Sequence, residues 1–116
     1  MDSSKLIVTA LRFIEKINQR DLEGLAELMV DDHTFMDNSG NVTKGKPAMK
    51  EGWRDFFEKY PDYRNIVTCV TTIDNVVVMV GHSACSYKQL EGPNIWTAKM
   101  RGKLVSEWRV YWLNQR

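Results

Sequence analysis

The apolar positions of this chain follow two rhythms, helical in the first half and strand-like in the second. Leu6, Ile7, Ala10, Leu11, Ile14 and Ile17 recur at i, i+3 and i+4, which predicts a first helix from about Ser4 to Gln19 with Ser3 or Ser4 as its cap. Asp21 reads as the N-cap of a short second helix, because its carboxylate can accept from the unpaired N–H groups of a first turn. Leu22, Leu25, Leu28 and Met29 supply that helix's apolar face. After Asp31-Asp32 the pattern alternates, with His33, Phe35 and Asp37 on one face of a short strand and Thr34 and Met36 on the other. Asn38-Ser39-Gly40-Asn41 is turn chemistry and leads into a central helix.

Pro47 suits a first helical position, where its missing N–H would be unpaired anyway, and Met49, Trp53, Phe56, Phe57 and Tyr60 follow as one apolar stripe. Pro61 stops that helix. Beyond Asp62 the chain reads as strands: Tyr63 to Ile73, a turn at Asp74-Asn75, Val76 to Tyr87, a loop from Lys88 to Asn94, then Ile95 to Met100 and Leu104 to Leu113 across a turn at Arg101-Gly102. Three helices followed by mostly antiparallel strands predict an α+β fold with the helices on one face of the sheet.

With 116 residues and 43% of them hydrophobic, residues 1–116 fit one domain with a modest core. Sixteen basic and fifteen acidic residues are interspersed along the chain, which argues against nucleic acid as a partner. No apolar run approaches the ~20 residues of a membrane span, and the N-terminus lacks a signal-peptide pattern, so a cytoplasmic protein without a membrane partner is expected. Cys69 and Cys85 fall in predicted strands and read as a buried pair of reduced thiols. There is no Gly-rich phosphate loop, nucleophile elbow or metal-ligand cluster, so no cofactor and no metal are expected.

The strings Gly-Lys-Pro-Ala-Met, Trp-Arg-Asp-Phe-Phe and Tyr-Pro-Asp-Tyr-Arg within residues 45–64 resemble the helix-to-strand junction of the SnoaL-like branch of the NTF2-like superfamily, which includes polyketide cyclases and ketosteroid isomerase. The resemblance implies an NTF2-like cone, in which three N-terminal helices pack on a strongly bent, mostly antiparallel sheet around an apolar pocket. Alternation in the last strand puts Trp108, Val110 and Trp112 on one face and Glu107, Arg109 and Tyr111 on the other. By resemblance to ketosteroid isomerase the first set looks into the pocket. The second faces the outer sheet surface, where many relatives form homodimers. Phe13, Phe35, Trp53, Phe57 and Trp96 complete the expected pocket.

Asp37 reads two ways. The segment Asp31-Asp32-His33-Thr34-Phe35-Met36-Asp37 resembles the isomerase stretch in which a double acid precedes the aspartate general base; alternatively Asp37 simply starts the Asn-Ser-Gly turn. His82 also reads two ways, as a hydrogen-bonded structural histidine or as a partner for Asp37 across the cavity. His33 and Asp37 are about 13 Å apart along a strand at ~3.3 Å per residue, too far to share an ion. The sequence departs from the isomerase pattern in its oxyanion donors. By the resemblance, Phe13 stands where the isomerase has a tyrosine, and the strand that would correspond to its second donor, Asn94 to Lys103, has no Asp or Glu. Two functions follow from the resemblance. One is acid-base catalysis of the cyclase, isomerase or hydratase type on a small hydrophobic ring or carbonyl compound, with Asp37 as base. The other is a non-catalytic dimer that binds a ligand or a protein.

Overall fold

The helical spacing near the N-terminus closes into α1 (Ser3–Gln19), which buries Leu6, Ala10, Phe13, Ile14 and Ile17. The computed structural model describes residues 3–113. Ile7 is half-buried and Leu11 exposed, so the covered face is narrower than the apolar spacing suggests. Arg20 enters the left-handed region at φ 56° and ends α1. Asp21 then caps α2 (Leu22–Glu27) as expected, its carboxylate accepting from Gly24 N at 2.9 Å. Met29, read as part of this helix, instead begins β1 (Met29–Met36) and is buried in the sheet.

The turn after β1 does not lead straight into the central helix. It returns the chain as β2 (Val42–Lys44), which pairs antiparallel with β1 from Met36↔Val42 to Thr34↔Lys44. Three residues are too few to display an alternation, which is why the pattern did not reveal this strand. Helix α3 (Lys46–Lys59) carries its proline in the first turn and buries Met49 and Trp53, with Phe56, Phe57 and Tyr60 packed against the core. The remaining strands are β3 (Arg64–Ile73), β4 (Val76–Ala84), β5 (Gly92–Arg101) and β6 (Leu104–Trp112), with a short 3₁₀ turn at Lys88–Leu90. Thus β4 stops three residues earlier than expected and β5 starts three residues earlier.

All six strands form one sheet in the order β2-β1-β6-β5-β4-β3. Every neighbouring pair is antiparallel except β1 with β6, which is parallel. Register shifts interrupt β3 at Val67/Cys69 and β5 at Lys99/Met100, and such bulges bend a sheet and increase its twist. The helices cover one face, α1 against β3, β4 and β6 and α3 against β1 and β2. Cys85 is buried but Cys69 is exposed, and both are free thiols. The expected buried pair is therefore corrected at Cys69, whose side chain stands on the outer face of β3.

Gly81 sits opposite the β3 bulge, and a Cβ there would lie 1.9 Å from the Ile66 carbonyl oxygen. Gly52, inside α3, has open space around it. Gly81→Ala is expected to destabilise by about 1–3 kcal/mol or more, because backbone must move to admit the methyl group. Gly52→Ala is expected to stabilise by roughly 0.5–1 kcal/mol through helix entropy. Urea denaturation midpoints check both, and a Gly81→Ala midpoint equal to wild type would contradict the close approach.

Candidate functional site

Between α3 and the covered face of the sheet lies a cavity of about 380 Å³. Its walls follow from two periodicities. On α3 the i, i+4, i+7 series brings Met49, Trp53 and Phe56 to one side; on β6 the alternation brings Trp108, Val110 and Trp112 to the other. Phe35 from β1 and Trp96 from β5 extend the sheet wall. Trp53 anchors the helix side, edge-on to Phe35 at 6.0 Å and to Phe56 at 5.6 Å between ring centroids. Phe56 in turn meets Tyr63 edge-on at 4.9 Å.

Six of the eight expected pocket residues line this cavity: Phe35, Trp53, Trp96, Trp108, Val110 and Trp112. Phe13 does not. It is fully buried, stacked on Trp108 with centroids 4.3 Å apart, because α1 covers the same face of the sheet beside the cavity and Trp108 stands between Phe13 and the open space. Phe57 does not line it either and instead supports Trp53 at 5.6 Å. Glu107, Arg109 and Tyr111 stand on the opposite face of β6, as the alternation predicts. Arg109 lies over the Tyr111 ring at 5.3 Å and donates to Met36 Sδ, so these two side chains already pack on their neighbours.

Asp37 lies at the rim of the cavity, one residue past β1. Its carboxylate is held by its own turn. Oδ1 accepts from Ser39 N at 2.8 Å and Asn41 N at 2.9 Å, and Oδ2 accepts from Asn41 Nδ2 at 3.1 Å. The two lone pairs of Oδ1 are thereby used, and only Oδ2 keeps one for any other contact. Asn38 closes the same rim by accepting from Trp112 N at 2.8 Å. His82 is not in the cavity: on β4 it alternates with buried Gly81 and Ser83 and is exposed on the outer face. A pairing of His82 with Asp37 across the cavity is therefore corrected, since the sheet itself stands between that ring and the cavity.

The polar residues of the inner wall escaped the sequence reading. Tyr63 and Asn65 both line the cavity, and buried Ser83 and Asn94 stand behind them, joined by hydrogen bonds. One signal could have found them: Asn65, Ser83 and Asn94 each alternate in period two with inward residues, Tyr63, Gly81 and Cys85, and Trp96. No group of three or more metal-capable side chains occurs among the described residues, and none of their helices is long and apolar enough to cross a membrane.

A cone of one bent sheet wrapped on helices, with an aromatic cavity inside, is the cystatin-like or NTF2-like architecture. Residues 10–110 match the family model of the SnoaL-like domain, and the chain belongs to that family. Solved structures share the fold at low identity. An uncharacterised cystatin-fold protein from Novosphingobium aromaticivorans is 19% identical, with a TM-score of 0.79 over 90% of this chain and 96% of that one. A candidate polyketide cyclase from Sinorhizobium meliloti is 11% identical, with a TM-score of 0.82 over 95% and 99% of the two chains. A candidate ketosteroid isomerase from Kribbella flavida is 16% identical, with a TM-score of 0.81 over 97% and 81%. Among curated proteins none matches this sequence.

His33 illustrates how the wall behind the cavity is built. It is fully buried, its Nδ1–H donates to the Val105 carbonyl at 2.8 Å, and its ring stacks near Phe13 at 5.8 Å. Nε2 is buried with no partner among the described residues. Burial holds the imidazole below its ordinary value of 6.5, because charging it would strand a second N–H in apolar surroundings. A lowered folded-state value means that the unfolded chain takes up the proton first as pH falls. The contribution of His33 is therefore complete above about 6.5 and declines as pH drops through the folded-state value. The melting temperature should fall between pH 7.5 and pH 5, and His33→Gln should flatten that slope. The carboxylates held low by hydrogen bonds and ion pairs, at Asp21, Asp32 and Asp62, act only below about 3.8 and lie outside this window.

Proposed function

We propose that this protein binds a small, largely apolar ring compound inside the cone. The observation that carries the reading is the cavity itself, about 380 Å³ and walled by four tryptophans and two phenylalanines. Ligand pockets typically measure ~300–1,000 Å³ and combine apolar walls with a few converging polar groups. Here the polar groups are Asp37 at the rim and Tyr63 and Asn65 within. Flat aromatic walls favour flat ligands, since indole and phenyl faces stack at little cost in side-chain entropy.

A second reading, acid-base catalysis with Asp37 as the base, is favoured by one observation: Asp37 lies on the cavity and Oδ2 retains a lone pair. Its reach is limited by the absence of the isomerase-type donors. Phe13 offers no hydroxyl and is walled off behind Trp108. Removing one oxyanion donor typically costs ~2.7–4 kcal/mol of transition-state stabilisation, so a base on its own makes a feeble catalyst. Isomerisation of 3-oxo-Δ5-steroids at an enzymatic rate is therefore not expected. An absorbance assay checks this, and robust turnover abolished by Asp37→Asn would restore the catalytic reading.

The binding reading is tested by thermal shift with fluorene, a flat tricyclic hydrocarbon. Binding to the native state raises the melting temperature by mass action, by roughly 2.7 kcal/mol of stability at a hundredfold excess over Kd. Wild type should respond. Val110→Trp, which fills the cavity from β6, should remain folded and lose the response. A response undiminished in Val110→Trp would put the ligand elsewhere on the molecule.

A further inference from the structure

Five residues remote in sequence, Asn18, Tyr63, Asn65, Ser83 and Asn94, form one hydrogen-bonded cluster on the inner wall of the cavity. Ser83 Oγ is its centre, 2.8 Å from Asn65 Oδ1, 2.5 Å from Asn94 Nδ2 and 2.9 Å from the Tyr63 hydroxyl. A hydroxyl has one proton and two lone pairs. Asn65 Oδ1 can only accept, so it takes the Ser83 proton. Asn94 N–H and Tyr63 O–H therefore donate to Ser83, and the hydroxyl is saturated. The backbone of Asn65 is clamped as well, its N–H donating to Asn18 Oδ1 at 2.8 Å and its carbonyl accepting from Asn18 Nδ2 at 2.9 Å.

With its backbone and its side-chain oxygen both fixed, Asn65 has one group left, the amide NH2, and this has no partner among the described residues. Asn65 is only 4% exposed and lines the cavity, so the natural place for a partner is inside it. The amide NH2 can only donate, and unlike the sealed Nε1–H of Trp53 it is reachable from the cavity, so a ligand oxygen there can accept from it.

Building on the reading of the cavity as a ligand site, we propose that Asn65 is its specificity-determining residue. Held by Asn18 and Ser83, it selects a ring compound that carries a carbonyl or other acceptor-only oxygen. The parent hydrocarbon would leave this donor unpaired. An alcohol could accept from Asn65 but would bring a proton of its own into apolar surroundings. The expected order of affinity is therefore ketone, then alcohol, then hydrocarbon.

The test compares 9-fluorenone, 9-fluorenol and fluorene, which share a flat outline and differ at one carbon, by thermal shift and by titration of tryptophan fluorescence. Wild type should bind the ketone roughly three- to tenfold more tightly than the hydrocarbon, the range of a net hydrogen bond. Asn65→Ala should abolish that preference. The carbonyl stretch of bound fluorenone should shift to lower frequency in wild type and return towards its apolar-solvent position in Asn65→Ala, a signature that a purely structural asparagine would not move. Should Asn65→Ala fail to fold, Ser83→Ala reads the same preference, since it releases the amide from its fixed orientation. Equal affinity for ketone and hydrocarbon, a preference for the alcohol, or a ketone preference unchanged in the asparagine variant would each overturn the inference but leave ligand binding intact. Failure of all three compounds to bind would overturn the cavity reading and the inference with it.

Discussion

The stack of Phe13 on Trp108, with ring centroids 4.3 Å apart, is the contact on which the rest of the molecule depends. It joins the helical layer to the sheet at the middle of β6, and Trp108 belongs at once to the buried core and to the cavity wall. On its Phe13 side the space is filled by α1, with Phe13, Ile17 and Met29 all essentially inaccessible. Towards α3 the wall stays open to the cavity. Close packing of one large aromatic pair thus decides where the interior is solid and where it is hollow.

The hollow part brings polar groups into an apolar interior, and the fold satisfies them by linking rather than exposing them. Buried polar groups are tolerated where hydrogen bonds replace those lost from water, and a half-satisfied cluster is worse than none. Asn18 therefore reaches across from α1 to the backbone of β3, while Ser83 and Asn94 connect the side chains of the next two strands. At the rim the same logic operates in short range. Asp37 holds its own turn and Asn38 holds the end of β6, so the cavity has a structured mouth.

Membership of the SnoaL-like family describes a scaffold, and chemistry is set by the side chains mounted on it. In this chain the helix position that resembles the isomerase tyrosine carries a phenylalanine used for packing. The polar pole of the cavity lies instead at the start of β3, around Asn65. A cone can accommodate such a relocation because many strands and one helix all face the same interior, so a donor can enter from any of several elements without altering the backbone plan.

The sequence alone determined the fold class and the order of elements apart from β2, because helical and strand spacing are local properties of the chain. The apolar stripe of Trp53 on α3 and the shared face of Trp108, Val110 and Trp112 on β6 were legible from their periods, whereas the cavity they face was implied by the family resemblance. What alternation could not decide was which face of β4 points inward. Val76, Val78 and Val80 on one side and Val77 and Met79 on the other are equally apolar, so His82 could be read into the cavity although it lies outside. Nor could it bring Asn18, Asn65, Ser83 and Asn94 together, since each is an ordinary polar residue in its own segment. Their meeting depends on which strands neighbour one another and where a helix end comes to rest, long-range contacts that only the tertiary structure supplies.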